Sequence, residues 1–207
     1  MPPIWTPSPA RLAATNLARF TLAASERAGR DLDGSSALHD WSVADPGAFW
    51  ALAWEWCGLV GDPGPTPFVP GADLPDARFF PGARLNVVDT FLATTGPGPA
   101  LIEAGEDGRR RTVSWDELRA RVAALAAALR ATGVGPGHRV AAWLPNVPET
   151  IVTMLATAAV GATFSSTSPD FGTAGVLDRF GQIEPTVLVA ADGYVYGGKR
   201  NDCLPRL

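Results

Sequence analysis

Residues 139–165 read RVAAWLPNVPETIVTMLATAAVGATFS. Arg139 to Leu144 is largely apolar without polar alternation, the signature of a strand buried on both faces. The strand cannot continue through Leu144-Pro145-Asn146-Val147-Pro148, because proline removes a ladder donor, and Pro148 suits the first turn of a helix. Ile151, Met154 and Leu155 then recur at helical spacing, Gly161 ends the helix, and a second strand follows from Ala162 to Ser165. Strand, helix and strand in so short a span predict neighbouring parallel strands joined by a crossover helix.

The pattern extends in both directions. Upstream, Ala100–Glu103 and Arg111–Val113 read as short strands around the turn-rich Gly105-Glu106-Asp107-Gly108. Ser114-Trp115-Asp116-Glu117 is a capping box in which the serine and the glutamate each satisfy a free amide. It opens a helix through Leu118, Val122, Leu125 and Leu129 that stops at Gly133. Downstream, Gly172–Ile183 reads as a helix and Thr186–Ala190 as the last strand. The fold class is α/β, with part of a parallel sheet covered by helices on both faces. No internal repeat appears at a fixed period.

The first 75 residues differ in kind. Ser8 and Pro9 open a helix expected to reach Ala28, and Asp45 and Pro46 open another, with Phe49, Trp50, Ala53, Trp54 and Cys57 along one face. Of the 7 tryptophans, Trp5, Trp41, Trp50, Trp54 and Trp56 lie in this region. Such density suits a helical extension packed by Trp41, Trp50 and Trp54. Gly58–Pro75, GLVGDPGPTPFVPGADLP, cannot hold a helix and reads as a connector. The expected division is therefore 1–75 and 76–207.

Composition narrows the function. At 46% hydrophobic the 207 residues can bury a core, which excludes disorder throughout. A net charge of -4 supplies no basic field for nucleic acid or anionic lipid. Cys57 and Cys203 are too few for a disulfide framework, and Met1–Pro9 has neither the basic nor the apolar run of a secretory leader, so a cytoplasmic setting is expected. The uncharged Ile151–Phe164 is too short for a membrane span. The expected partner is a small molecule or a protein.

Chemistry-bearing motifs are sparse. Gly193-Tyr194-Val195-Tyr196-Gly197-Gly198-Lys199-Arg200 meets the glycine and lysine positions of a phosphate-binding P-loop, but Arg200 replaces the required Ser or Thr and Pro205 forbids the following helix. His39 and His138 have no partner at ligand spacing and read as structural. Leu144–Glu149 and Ser165–Gly172 each join a strand end to a helix start, the edge of a parallel sheet where ligands bind. Their prolines, serines and Asp170 serve equally well as ordinary helix caps, so both readings stand.

Four segments carry a resemblance: Ala37-Leu38-His39-Asp40-Trp41-Ser42-Val43, Ala77 through Asn86 with its Phe79-Phe80 pair, Ser165-Ser166-Thr167-Ser168-Pro169-Asp170-Phe171-Gly172, and Val176 through Pro185. Through them the chain, from Trp5 to about Lys199, resembles the acyl-CoA synthetases of the adenylate-forming superfamily, and within them the acetoacetate-activating branch. The resemblance implies an incomplete adenylate-forming N-terminal domain from a ligase that uses ATP, Mg2+ and coenzyme A on acetoacetate. Its phosphate loop ending in Pro-Lys, its ribose-binding aspartate and its C-terminal lysine have no counterpart here, and Lys199 is the single lysine. The implied piece is a front part, inactive alone, whose partner is the remaining C-terminal part of its own chain. The CoA-holding segments of related acetyl-CoA synthetases map onto Phe164-Ser165-Ser166 and Val195-Tyr196-Gly197-Gly198-Lys199. This implies CoA binding by Ser165, Ser166 and Lys199, helped by Arg200, with no catalytic or metal residue in the chain. Against it stand a free-standing binding or interaction module, and a ligase for another short-chain acid such as acetate or propionate.

Overall fold

A computed structural model describes residues 4–207. The leader reading of Met1–Pro9 rests partly on residues 1–3, which lie outside the described residues. Two compact units are present, the first ending at Leu85 and the second spanning Asn86–Leu207.

The first unit is helical. The helix expected from Pro9 to Ala28 is two: α1, Pro9–Ala13, and α2, Asn16–Ala28. Thr15 divides them because its hydroxyl accepts a hydrogen bond from the Ala18 amide at 3.1 Å, so it caps a new helix rather than continuing the old one. Gly29 in the left-handed region ends α2. A third helix, α3 (Gly34–Ala44), escaped the sequence reading, since its N-cap Asp33 makes no side-chain capping bond and Gly34-Ser35-Ser36 is a poor helical start. α4, Pro46–Trp56, begins as expected, with Asp45 accepting from the Ala48 amide at 3.0 Å. Its inward face is corrected: Leu52 and Trp54 are buried while Trp50 and Cys57 are exposed. Phe49 stands edge-on to Phe20 and Trp41 over a core of Ala24, Leu32, Leu38, Trp41 and Leu52. The connector forms no α-helix; β1, Phe68–Val69, within it pairs antiparallel with β2, Arg78–Phe79.

The second unit opens with α5, Val87–Phe91, and an antiparallel hairpin of β3, Pro99–Ala104, and β4, Arg110–Ser114. α6, Trp115–Ala131, follows at once, its first turn capped by Ser114 Oγ accepting from the Glu117 amide at 3.1 Å. The second half of the expected capping box is replaced, because the Glu117 carboxylate pairs with Arg121 at 2.7 Å. Then come β5, Arg139–Trp143; α7, Pro148–Ala159; β6, Thr163–Thr167; α8, Thr173–Gly181; and β7, Val187–Ala190. The strands are parallel in the order β6-β5-β7. Successive side chains of the central β5 point to opposite faces. Val140 joins the core of α6 and α7, whereas Ala141 and Trp143 pack with Phe180 of α8 and Cys203.

Two expectations change. The strands of the β3–β4 hairpin pair with each other and not with the parallel sheet, since a tight turn permits only antiparallel pairing. Thr186–Ala190 is not the last strand: β8, Gly193–Tyr196, and β9, Lys199–Asp202, form a further hairpin. Gly197 and Gly198, at φ 59° and 71°, form the two-residue turn that demands positive φ twice.

Ser114→Ala is expected to lower stability by about 1 kcal/mol in urea denaturation, because it strips a helix N-cap. The edges of β6 and β7 are unpaired among the described residues, and Leu188 is 46% exposed. Sedimentation of the 207-residue chain is therefore expected to show concentration-dependent association.

Candidate functional site

The residues that line the main cleft gather beyond the carboxyl ends of β5 and β6. Past β5, Pro145 and Pro148 force the chain out of the sheet, and the turn between them closes through the Val147 amide on Pro145 O at 2.9 Å and Thr150 Oγ1 on the same oxygen at 2.7 Å. Past β6, the Ser168 hydroxyl donates to Asp170 Oδ2 at 2.8 Å and accepts from the Asp170 amide at 3.3 Å, a local turn with Pro169 buried inside it. Past β7, β8 brings Tyr194 beside Asp170. Burial first, and then its hydrogen bond with Asp170, pushes the Tyr194 phenol above its ordinary range.

These loops and the β3–β4 turn enclose a cleft of about 400 Å³. One wall is the hairpin segment Glu103–Asp107 with Arg109; the other is Pro145–Val147 and Ser168–Asp170, with β8 across the end. Glu103, Glu106, Asp107 and Asp170 outnumber Arg109 among the charged residues that line the cleft. Beneath the rim runs an ion-pair chain. Arg111 donates to Glu103 at 2.9 Å and to Glu149 at 2.7 Å, and Arg121 reaches Glu149 at 3.2 Å and Glu117 at 2.7 Å. The hydrogen bond from Arg111 holds the Glu149 carboxyl below its ordinary value, outweighing partial burial.

The structure brings together the later parts of the two strand-end segments, Pro145, Asn146 and Val147 with Ser168, Pro169 and Asp170. Ser165 and Ser166 lie within β6, opposite Ala141 and Ala142, and do not line the cleft. Lys199 opens β9, exposed and opposite Tyr196, on the outer strand of the hairpin. Tyr194 and Arg109 were missed by sequence reasoning, and Tyr196 entered it only as a member of the mapped segment Val195–Lys199. The signal for the tyrosines was available, since Gly197-Gly198 between short alternating segments marks a hairpin. The same hairpin disposes of the P-loop reading, as Gly193–Arg200 holds no loop leading to a helix. Arg200 instead borders a second cleft with Asp192, Asn201 and Asp202. His138 closes a turn, its Nδ1 3.2 Å from the Gly135 amide, and His39 is exposed beside Asp40. Among the described residues, no group of three or more His, Cys, Asp or Glu is placed to hold a metal, and no helix is long and apolar enough to cross a membrane.

Residues 89–205 match the family of the AMP-binding enzymes. The acetoacetyl-coenzyme A synthetase of Rhizobium meliloti is 52% identical over 200 residues, which cover 97% of this chain and 31% of that protein. The malonamoyl-CoA synthetase of Penicillium aethiopicum is 33% identical over 93% of this chain and 28% of its own. Among solved structures, an acetoacetyl-CoA synthetase from Streptomyces lividans superposes with a TM-score of 0.91 at 42% identity, covering 99% of this chain and 32% of that one. The chain thus spans 31% or less of the length of these curated relatives.

A carboxylate held below its ordinary pKa stabilises the fold above its unfolded value and loses that contribution as pH falls through the folded one. Acidification from pH 5 to pH 3 is therefore expected to lower the thermal midpoint, and Glu149→Gln should reduce the slope of that loss while lowering the midpoint at pH 7.

Proposed function

Because the chain belongs to the AMP-binding enzyme family, we propose that it forms the front part of a cytoplasmic acetoacetate:CoA ligase, with residues 1–75 as a helical extension and 76–207 as the first part of the AMP-binding domain. In such a ligase ATP, with Mg2+, converts the acetoacetate carboxylate into a mixed anhydride with AMP, and the thiol of coenzyme A displaces the AMP. The present residues contribute binding to that sequence, not bond making.

The observation carrying this reading is the cleft at the carboxyl ends of β5 and β6. Its excess of carboxylates repels phosphate, while the Ser168 hydroxyl, the Asn146 amide and the Tyr194 ring suit the amides and methylenes of an uncharged arm. The pantetheine arm of coenzyme A is such a group. Lys199, which opens β9 of the β8–β9 hairpin, supplies the positive charge for the 3'-phosphate. Ser165 and Ser166, within β6 and off the cleft, support this surface only through the strand that carries Ser168 to the rim. The malonamoyl-CoA relative supports a second reading, in which the parent ligase takes another short-chain acid.

Calorimetry with coenzyme A tests the binding role. Weak binding by the 207-residue chain is expected, with Lys199→Ala reducing affinity at least tenfold, or about 1.4 kcal/mol; unchanged affinity would remove the Lys199 assignment. In the same preparation no acetoacetate-dependent pyrophosphate release is expected, since the chain has no phosphate loop and one lysine. Release of pyrophosphate, free of host ligase, would overturn the inactive-fragment reading. Release driven by acetate or propionate and not by acetoacetate would favour the other acids.

A further inference from the structure

We propose that Arg111 is a positioning residue that fixes the separation of the two cleft walls, a role that rests on the reading of the cleft as a coenzyme A surface. The base of the hairpin is anchored by Val113, fully buried in the core of α6 and α7, whereas the cleft-lining part beyond it is held through side chains. β3 and β4 hydrogen-bond to each other, and among the described residues no ladder bond joins either to β5, β6 or β7. The opposite wall is held within itself, by the Val147 amide and Thr150 Oγ1 on Pro145 O, but Val147 at the N-cap of α7 makes no side-chain capping bond. Glu149, in the first turn of α7, ties that end to other elements through Arg111 and Arg121.

Arg111 spans this gap with a single rigid plane. Its Nε donates to Glu103 on the hairpin at 2.9 Å and its terminal nitrogen to Glu149 at 2.7 Å. Glu103, itself a cleft residue, has a side chain only 7% exposed, and its other cationic partner, Arg109, stands at 3.5 Å with a side chain 68% exposed. Loss of Arg111 therefore leaves the buried Glu103 carboxylate with one distant partner and removes the link from the hairpin to Glu149, which keeps only Arg121 of α6. Lysine keeps the charge but cannot present two fixed donors to two carboxylates, so charge alone should not restore the geometry.

Hydrogen exchange and coenzyme A calorimetry on the 207-residue chain test this, with Arg111→Gln, Arg111→Lys and Glu149→Gln compared at equal thermal margin. The expected result is at least tenfold faster exchange in residues 103–106 and 145–150, with β5 protection unchanged, and about tenfold weaker coenzyme A binding. Lysine should not rescue either readout, and the Arg111→Gln/Glu149→Gln double variant should be no worse than Arg111→Gln alone. Exchange that rises equally in β5, or not at all, would overturn the proposal, as would full rescue by lysine. If Arg111→Gln does not fold, Glu149→Gln carries the same expectation. Failure of the unaltered chain to bind coenzyme A would overturn the ligand reading, while the exchange pattern still decides the role of Arg111.

Discussion

The fold of the second unit hangs on one strand that water cannot reach. Val140, Ala141 and Ala142 of β5 are fully buried and Trp143 is nearly so, which requires a layer of other elements on both faces and a hydrogen-bonded strand on both edges. Helices α6 and α7 cover one face, and α8 with Cys203 the other. Alanines at the strand centre leave room for this close approach, and any polar side chain there would be buried without a partner.

The two ends of the sheet then take different work. At the amino end, the Arg139 guanidinium donates to the carbonyls of Gly137, Ile183 and Glu184, while the Thr186 amide returns to Arg139 O at 2.8 Å. This clamps the turn from α8 into β7, where Glu184 adopts a positive φ of 44°. At the carboxyl end no comparable side-chain clamp crosses the strands among the described residues, and the loops carry prolines, Ser168 and Asp170 around open space. Regular pairing exhausts the backbone groups inside the sheet, so hydroxyls and carboxylates free to meet a ligand gather where the ladder ends.

The order of helices and parallel strands was legible because its determinants are local. Ser114, Pro148 and Gly133 mark helix ends through single backbone groups, and the apolar run at β5 announces burial on both faces. The reading failed where two local signals competed. Thr15 is helix-compatible by propensity, yet its hydroxyl capped a new turn. Gly197-Gly198 with Lys199 satisfied part of a phosphate-loop pattern, yet the same glycines make the tightest hairpin turn. In both cases backbone geometry, and not residue type, selected between alternatives that the sequence permits.

Of the cleft, the sequence placed Leu144–Glu149 after a buried strand and Ser165–Gly172 likewise, except that β6 runs on to Thr167, because position after a strand depends only on chain order. Which of their residues face the cleft was decided by the fold: Ser168 and Asp170 emerge beyond the last β6 pair, while Ser165 and Ser166 stay within the ladder. Arg111 and Glu149 are 38 residues apart, and nothing in their local sequence pairs them. By itself the sequence determined the elements, their caps and the apolar faces, since those follow from periodicity and near-neighbour hydrogen bonds. The tertiary structure alone decided the cleft, its acidic lining and the hairpin set against it. Contacts between residues so far apart in the chain arise only once burial of β5 has fixed every element around it.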